Sequence, residues 1–239
     1  MRRQVWRELD LVFGRGDNLL ELNCGTGLDA MHLSRRGVRV TACDISHAMI
    51  DQARQSARSL VEVPTPDFRV LPTEQLHTLE HVDLFDGAFS NFSGLNCVAD
   101  LHSVSRELGC MLKPGATMVL CMLGKFVPWE IAWFLAHGNP AKALRRFRGT
   151  ALFKDHADAL RVHYYSRREI ISAFGTKFRL QGYRGMGFFL PPTYMDSWAD
   201  RFPILTTALG RADAIVGGLP PFRSAAGFIL LHFRRTAEK

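Results

Sequence analysis

The stretch "NLLELNCGTGLDA", Asn18 to Ala30, constrains the fold more than any other part of the chain. An apolar run breaks into a turn that holds Gly25 and Gly27, with Ala30 three residues further on. A strand that ends in a glycine turn and opens a helix is the start of a βα unit. Glycines without a Cβ let a ligand approach the backbone closely, and the opening helix offers N–H donors to an anionic group.

The same unit repeats downstream. Apolar runs over Asn18–Leu22, Val38–Ala42, Phe68–Leu71, Phe85–Ser90 and Thr117–Leu123 suit buried parallel strands, and helical stretches over Asp29–Arg36, Ala48–Leu60 and Val98–Leu112 lie between them. An opening amphipathic segment, Val5–Phe13, stops at Gly14. This alternation predicts an α/β fold with a doubly wound, mostly parallel sheet. Beyond Gly124 the pattern turns helix-like over residues 126–162, with Trp129, Ile131, Trp133, Phe134 and Leu135 followed by Lys142, Arg145, Arg146 and Arg148. Phe178–Leu190 and Gly227–Arg234 have strand character and predict a late antiparallel pair, separated by a helical stretch from Pro191 to Pro221. The expected division is a core over residues 1–125, a helical lid insertion over 126–165, and a C-terminal part of the core over 166–239.

Two acids narrow the ligand. Asp44 lies 17 residues past Gly27 at the end of the second strand, placed to accept hydrogen bonds from ribose hydroxyls. That suits a dinucleotide and an adenosyl ligand equally. Glu21 lies four residues before Gly25, where a carboxylate repels a pyrophosphate and attracts an ammonium group. The ligand is therefore expected to carry positive charge at that end.

"LLELNCGTG" followed by "VTACDIS" resembles the first two motifs of class I S-adenosylmethionine-dependent methyltransferases. "FDGAFSNFSGLNCV" resembles the fourth-strand motif of that family, "LKPGA" the turn before strand five, and "VHYYSRREI" the segment where the lid rejoins the core. The resemblance covers roughly residues 18–125 well and the remainder loosely. It implies a Rossmann-like fold with a seven-stranded sheet and S-adenosyl-L-methionine as cofactor, leaving S-adenosyl-L-homocysteine. The residues it implies around the cofactor are Glu21, Asn23, Gly25, Gly27, Asp44, Ile45, Met49, Thr73, Glu74, Asn91 and Phe92.

The chain departs from the family's pattern in two places. Asn23 stands where the family usually has glycine, and asparagine tolerates left-handed backbone better than other side chains do. We expect it in that conformation. After the third strand, "VLPTEQL" places Pro72 and Thr73 where many members have an acid for the adenine amino group. Adenine is then read by Glu74, by the Thr73 hydroxyl or by backbone.

Methyl transfer is an in-line displacement that needs alignment and exclusion of water, and a base only where the acceptor must lose a proton. His137, His163, Tyr164 and Tyr165 are the base candidates, and the position of the "HYY" cluster favours His163 or Tyr165. His102 reads as structural, beside the core face of Leu101, Val104, Leu108 and Met111. The Asn/Asp-Pro-Pro-Tyr/Phe motif of amine-methylating enzymes is missing after strand four. The expected activity is methyl transfer to a small organic molecule, with an acceptor pocket lined by the lid and by residues near Phe188–Tyr194.

The formal charge of +7 is uneven: residues 1–125 carry 13 Lys+Arg against 15 Asp+Glu, and residues 126–239 carry 17 against 8. That basic surplus keeps an alternative open, an RNA (tRNA) methyltransferase. A third reading is a protein that binds the cofactor and transfers nothing. Five cysteines without a C-x-x-C pair suggest no disulfide framework and no metal site, and read as small buried hydrophobes. No apolar run suits a membrane span or a signal peptide, so a cytoplasmic location is expected.

Overall fold

The computed structural model describes residues 1–58, 63–79, 83–155, 158–190 and 201–237. The chain begins with helix α1, Arg2–Val12, and then alternates β1 (Asn18–Leu22), α2 (Leu28–Ser34), β2 (Arg39–Asp44), α3 (His47–Ala57) and β3 (Asp67–Val70). After a 3-10 turn at Thr73–Thr78 follow β4 (Phe85–Ser90), a second 3-10 turn at Gly94–Cys97, α4 (Leu101–Met111) and β5 (Leu112–Leu123). The distal part comprises α5 (Pro128–Ala136), α6 (Pro140–Ala143), a 3-10 turn at Arg145–Arg148, β6 (Thr150–Asp155), β7 (Asp158–His163), α7 (Arg167–Phe174), β8 (Phe178–Met186), α8 (Pro203–Val216) and β9 (Phe228–Arg235).

Seven strands form one sheet in the order β3-β2-β1-β4-β5-β9-β8. The first five are parallel, and β9 and β8 close the edge antiparallel, as the late strand pair predicted. The parallel strands read as apolar runs because helices cover both faces. One face packs Val5, Leu9, Leu33 and Ile50 from α1, α2 and α3. The other packs Leu101, Val104, Leu108 and Met111 of α4 with Phe174 of α7. Each fully buried Leu or Phe contributes about 1.5–3 kcal/mol, so these two layers fix the sheet. The strand order reverses at β1, which has β2 on one side and β4 on the other, and a crevice opens there above the carboxyl ends.

Helix in the distal insertion extends only to Arg148. From Thr150 the chain is a two-stranded hairpin, β6 with β7, in register from Thr150↔His163 to Asp155↔Asp158. The helical reading of residues 150–162 fails because Thr150, Phe153 and Val162 are residue types that suit an extended chain, and the basic stripe before them carried a helical period past its end. The strand expected over Phe178–Leu190 stops at Met186, where Gly187 turns the chain with φ +74°. Within Pro191–Pro221 the described helix is α8; residues 191–200, including Tyr194 of the expected acceptor pocket, lie outside the described residues, as do 59 and 60 of the helical stretch expected over Ala48–Leu60. Cys24, Cys43 and Cys121 are buried as expected, but Cys97 is partly exposed and Cys110 lies exposed on α4. Among the described residues no helix is long and apolar enough to cross a membrane.

Candidate active site

Asn23 and Gly25 adopt left-handed backbone, with φ +55° and +54°. The Asn23 side chain accounts for its own presence: Oδ1 accepts a hydrogen bond from the Thr73 hydroxyl at 3.2 Å, and a Cβ on Gly94 would sit 2.3 Å from the Asn23 Cβ. Asparagine therefore ties the turn to the segments after β3 and β4, which glycine could not. Asp44 draws in the second strand, accepting the Gly25 N–H on Oδ2 at 2.8 Å and the Ser46 N–H on Oδ1 at 2.9 Å. Each oxygen keeps a further acceptor position.

The two glycines differ in what they serve. Beside Gly25 no atom stands within 4 Å of a built Cβ, so its open side faces the crevice. At Gly27 a Cβ would lie 2.5 Å from the Phe68 ring and 3.0 Å from Ala53. Gly27 is needed for packing α2 against its neighbours, which corrects the expectation that its missing Cβ makes room for a ligand.

The crevice is lined by Glu21, Asn23, Gly25, Met49, Asn91 and Phe92 from the expected set, with Arg2, Leu28 and Asp29 added. Glu21 is 2 % exposed, and its Oε2 has no hydrogen-bond partner among the described residues. Burial first, then the neighbouring Asp29 carboxylate, push its carboxyl well above the usual range, while Arg2 pulls the other way. Asn91 is likewise buried with Oδ1 unpartnered. A buried carboxylate and a buried amide oxygen, both free and both lining one crevice, are acceptors awaiting a donor from a ligand.

Asp29 was missed in the sequence and organises this end. Its Oδ1 accepts from Arg2 Nη1 at 2.6 Å and Trp6 Nε1 at 2.7 Å, and its Oδ2 accepts from Asn91 Nδ2 at 2.9 Å. The guanidinium of Arg2 lies 4.6 Å over the Phe92 ring, which meets Phe228 edge-on. Phe92 and Ser93 hold φ +49° and +68° at the end of β4, a conformation that costs side chains roughly 1 kcal/mol each. Only an acid in the first turn of α2 could have hinted at Asp29, and nothing local marks Arg2.

Around the expected adenosine, Ile45 and Met49 are exposed apolar side chains, Glu74 is exposed, and Thr73 is buried with its hydroxyl given to Asn23. The base candidates are held in different surroundings. Tyr165 donates its hydroxyl to the carbonyls of Val98 at 2.6 Å and Ala99 at 3.0 Å, and burial, with Glu169 and Asp100, pushes its phenol up to about 12. It is a structural tie, which corrects its assignment as a base. Tyr164 is buried under the Arg146 guanidinium. His137 is exposed, with its ring held by the Trp133 carbonyl, and His102 is exposed on α4. His163 is half-buried and stacked on Tyr165, its carbonyl held by Asn96 at 2.7 Å. A second cavity, behind α1 and lined by Gln4, Glu8, Arg184 and Asp213, offers no chemistry of this kind. There Glu8 is paired with Arg184, and Asp213 accepts the N–H groups of Phe188, Phe189 and Leu190.

The sheet order, the glycine turn with its two acids and the orphaned acceptors define a Rossmann-like fold with a crevice for a nucleoside ligand that bears an amino-acid end. Residues 19–115 match the family described as "Methyltransferase domain". A ubiquinone biosynthesis O-methyltransferase from Xanthomonas campestris is 34 % identical over 122 residues, 49 % of each chain. A demethylmenaquinone methyltransferase from Thermobifida fusca is 30 % identical over 123 residues, 50 % of each. The match thus spans about half the length of these relatives. A solved S-adenosylmethionine-dependent methyltransferase from Methanosarcina mazei shares the fold with a TM-score of 0.63 at 17 % identity, over 97 % of this chain and 98 % of that one. The matched segment, less than half of the chain, is thus similar to a methyltransferase domain, and the whole chain has the fold of solved S-adenosylmethionine-dependent methyltransferases, for which S-adenosylmethionine is the cofactor.

Proposed function

We propose that this chain transfers the methyl group of S-adenosylmethionine to a small, lipophilic aromatic acceptor of quinone or phenol type. The observation that carries the reading is Glu21, a buried carboxylate with a free oxygen, with Arg2 on the same crevice. A zwitterionic amino-acid group matches that pair: its ammonium answers Glu21 and Asn91, and its carboxylate answers Arg2. Asp44 takes the ribose hydroxyls, and Ile45 and Met49 flank the base. When bound, the cofactor supplies a methyl group already activated by positive sulfur.

The protein's part is to align and to exclude water. Phe92, fixed by Arg2 above and Phe228 at its edge, walls the crevice at the end of β4. His163 accepts the proton of an acceptor hydroxyl as the new bond to oxygen forms. The names of the two relatives support an acceptor of the quinone class. Calorimetry with S-adenosylmethionine and S-adenosylhomocysteine, followed by mass spectrometry of a panel of catechols, phenols and demethylated quinones, tests the reading. Tight binding with a mass gain of one methyl group supports it. Binding without transfer to any acceptor in the panel would reduce it to a cofactor-binding protein.

A further inference from the structure

In an ordinary surface helix the apolar stripe is buried and the charges face water. Two helices of this chain are built the other way round. The only buried side chain of α5 is Glu130, and the only buried side chain of α8 is Asp213. Trp129 and Leu135 on α5 are exposed, and on α8 Ile204 is 86 % and Ile215 is 76 % exposed.

The inversion is anchored from inside. Glu130 is held by Arg145 and Arg146, and Arg146 reaches the carbonyls of Gly124 and Gly227 at the end of β5 and the start of β9. Asp213 accepts the N–H groups of Phe188 and Phe189, just past β8. The two anchors meet through the Gly227 N–H, which donates to the Gly187 carbonyl at 3.1 Å. Both inverted helices therefore sit at one corner of the molecule, above the ends of β5 and β8.

Charge selects the occupant. Over residues 126–152 the one acid is Glu130, and over 201–224 the one acid is Asp213; both are buried. The charges left at the surface of those stretches are cations, with Lys142 and Arg148 exposed beside α5 and Arg201 and Arg211 exposed on and before α8. A second copy would set cations against cations, and a nucleic acid has no use for the exposed aliphatic side chains of Leu135, Ile204 and Ile215. Apolar side chains rimmed by Lys and Arg suit the interface of a bilayer that carries anionic lipid. We propose that α5, α8 and their basic flanks form a peripheral docking surface for an anionic membrane. This surface is separate from the cofactor crevice and does not depend on which acceptor is methylated.

The test is flotation of the full chain with phosphatidylcholine vesicles, with and without phosphatidylglycerol, at low and high salt. Binding is expected only with phosphatidylglycerol and to fall as salt rises. The Leu135→Glu/Ile204→Glu variant and the Lys142→Glu/Arg148→Glu variant should each weaken it roughly tenfold or more. Circular dichroism and calorimetry with S-adenosylhomocysteine check that both variants keep the wild-type fold and cofactor crevice. Absence of binding to phosphatidylglycerol vesicles at low salt would overturn the proposal, as would binding that both variants retain. Sedimentation showing a dimer that Leu135→Glu/Ile204→Glu dissolves would overturn it in favour of self-association. A single-stranded RNA that competes the protein off the vesicles through these same side chains would assign the surface to nucleic acid instead.

Discussion

Arg146 and Glu130 form a buried fork: Nε stands 3.1 Å from Oε1 and Nη2 stands 2.7 Å from Oε2, with both residues less than a tenth exposed. Nη1 of the same arginine donates to the Gly124 carbonyl at 2.7 Å. One side chain thus neutralises the inward acid of α5 and ties that helix to the end of β5. The apolar side of α5 faces outward because its acid is the group with a partner inside.

Removing one member of a buried pair leaves the other charge uncompensated, at a cost of about 3–5 kcal/mol. Arg145 also reaches Glu130 at 2.9 Å, so Arg146→Ala should fall at the lower end of that range in urea denaturation. Arg146→Met with Glu130→Leu should recover most of the loss, because the buried pair is then gone and the Arg145 left behind keeps part of its side chain in water. A double variant as unstable as the single one would show that the carbonyl contacts, and not the ion pair, hold α5.

Glu21 makes cofactor affinity and stability depend on pH in opposite senses. Burial and the Asp29 carboxylate raise its carboxyl in the folded protein, so the native state keeps that proton to a higher pH than the unfolded chain does. Its contribution to stability is complete below the ordinary carboxyl range and is lost as pH rises towards the folded value. A bound ammonium favours the ionised form, so cofactor binding below the folded value releases a proton. Calorimetry in buffers of different ionisation enthalpy should register that release in the wild type and not in Glu21→Gln. The variant should bind the cofactor roughly tenfold or more weakly, consistent with loss of a charge-assisted contact, while keeping or gaining stability at neutral pH without it.

The two glycines of the turn should separate into different phenotypes. Ala at Gly27 meets Phe68 and Ala53 as well as a φ of +72°, and should lower stability by about 2–3 kcal/mol, judged from overpacking and left-handed strain together. Ala at Gly25 meets no atom of the protein within 4 Å, so it should cost about 1 kcal/mol of strain while its methyl group intrudes on the crevice. Thermal melts of the two variants with and without S-adenosylhomocysteine distinguish them. The ligand should stabilise Gly27→Ala as it does the wild type and Gly25→Ala much less.

What could be read from the chain follows the range of the forces involved. The strands from Asn18 to Leu123 announce themselves because a sheet covered on both faces needs unbroken apolar runs. The left-handed Asn23 and the acids Glu21 and Asp44 were also legible, being consequences of a turn within a few residues. Arg2, Trp6 and Asn91 were not legible as a group, because Asp29 gathers them from α1 and the end of β4 by contacts between residues far apart in sequence. The β6–β7 hairpin was hidden by the basic stripe before it. Tyr165 looked catalytic from its neighbours, and only the Val98 and Ala99 carbonyls disclose its other use.

His163 and Tyr165 stack with ring centroids 5.7 Å apart, and their variants should divide activity from stability. Tyr165→Phe removes a donor from two carbonyls and should lower stability by about 1 kcal/mol, with the pH–rate profile unchanged in shape. His163→Gln keeps a polar side chain without the ability to take up a proton. For a phenolic acceptor, kcat/KM should drop roughly 10²–10⁴-fold. Cofactor affinity should hold in both variants, since neither side chain lines the crevice. A His163→Gln enzyme with the wild-type kcat/KM would remove the base from the mechanism and leave alignment alone, which is sufficient for an acceptor already ionised at neutral pH.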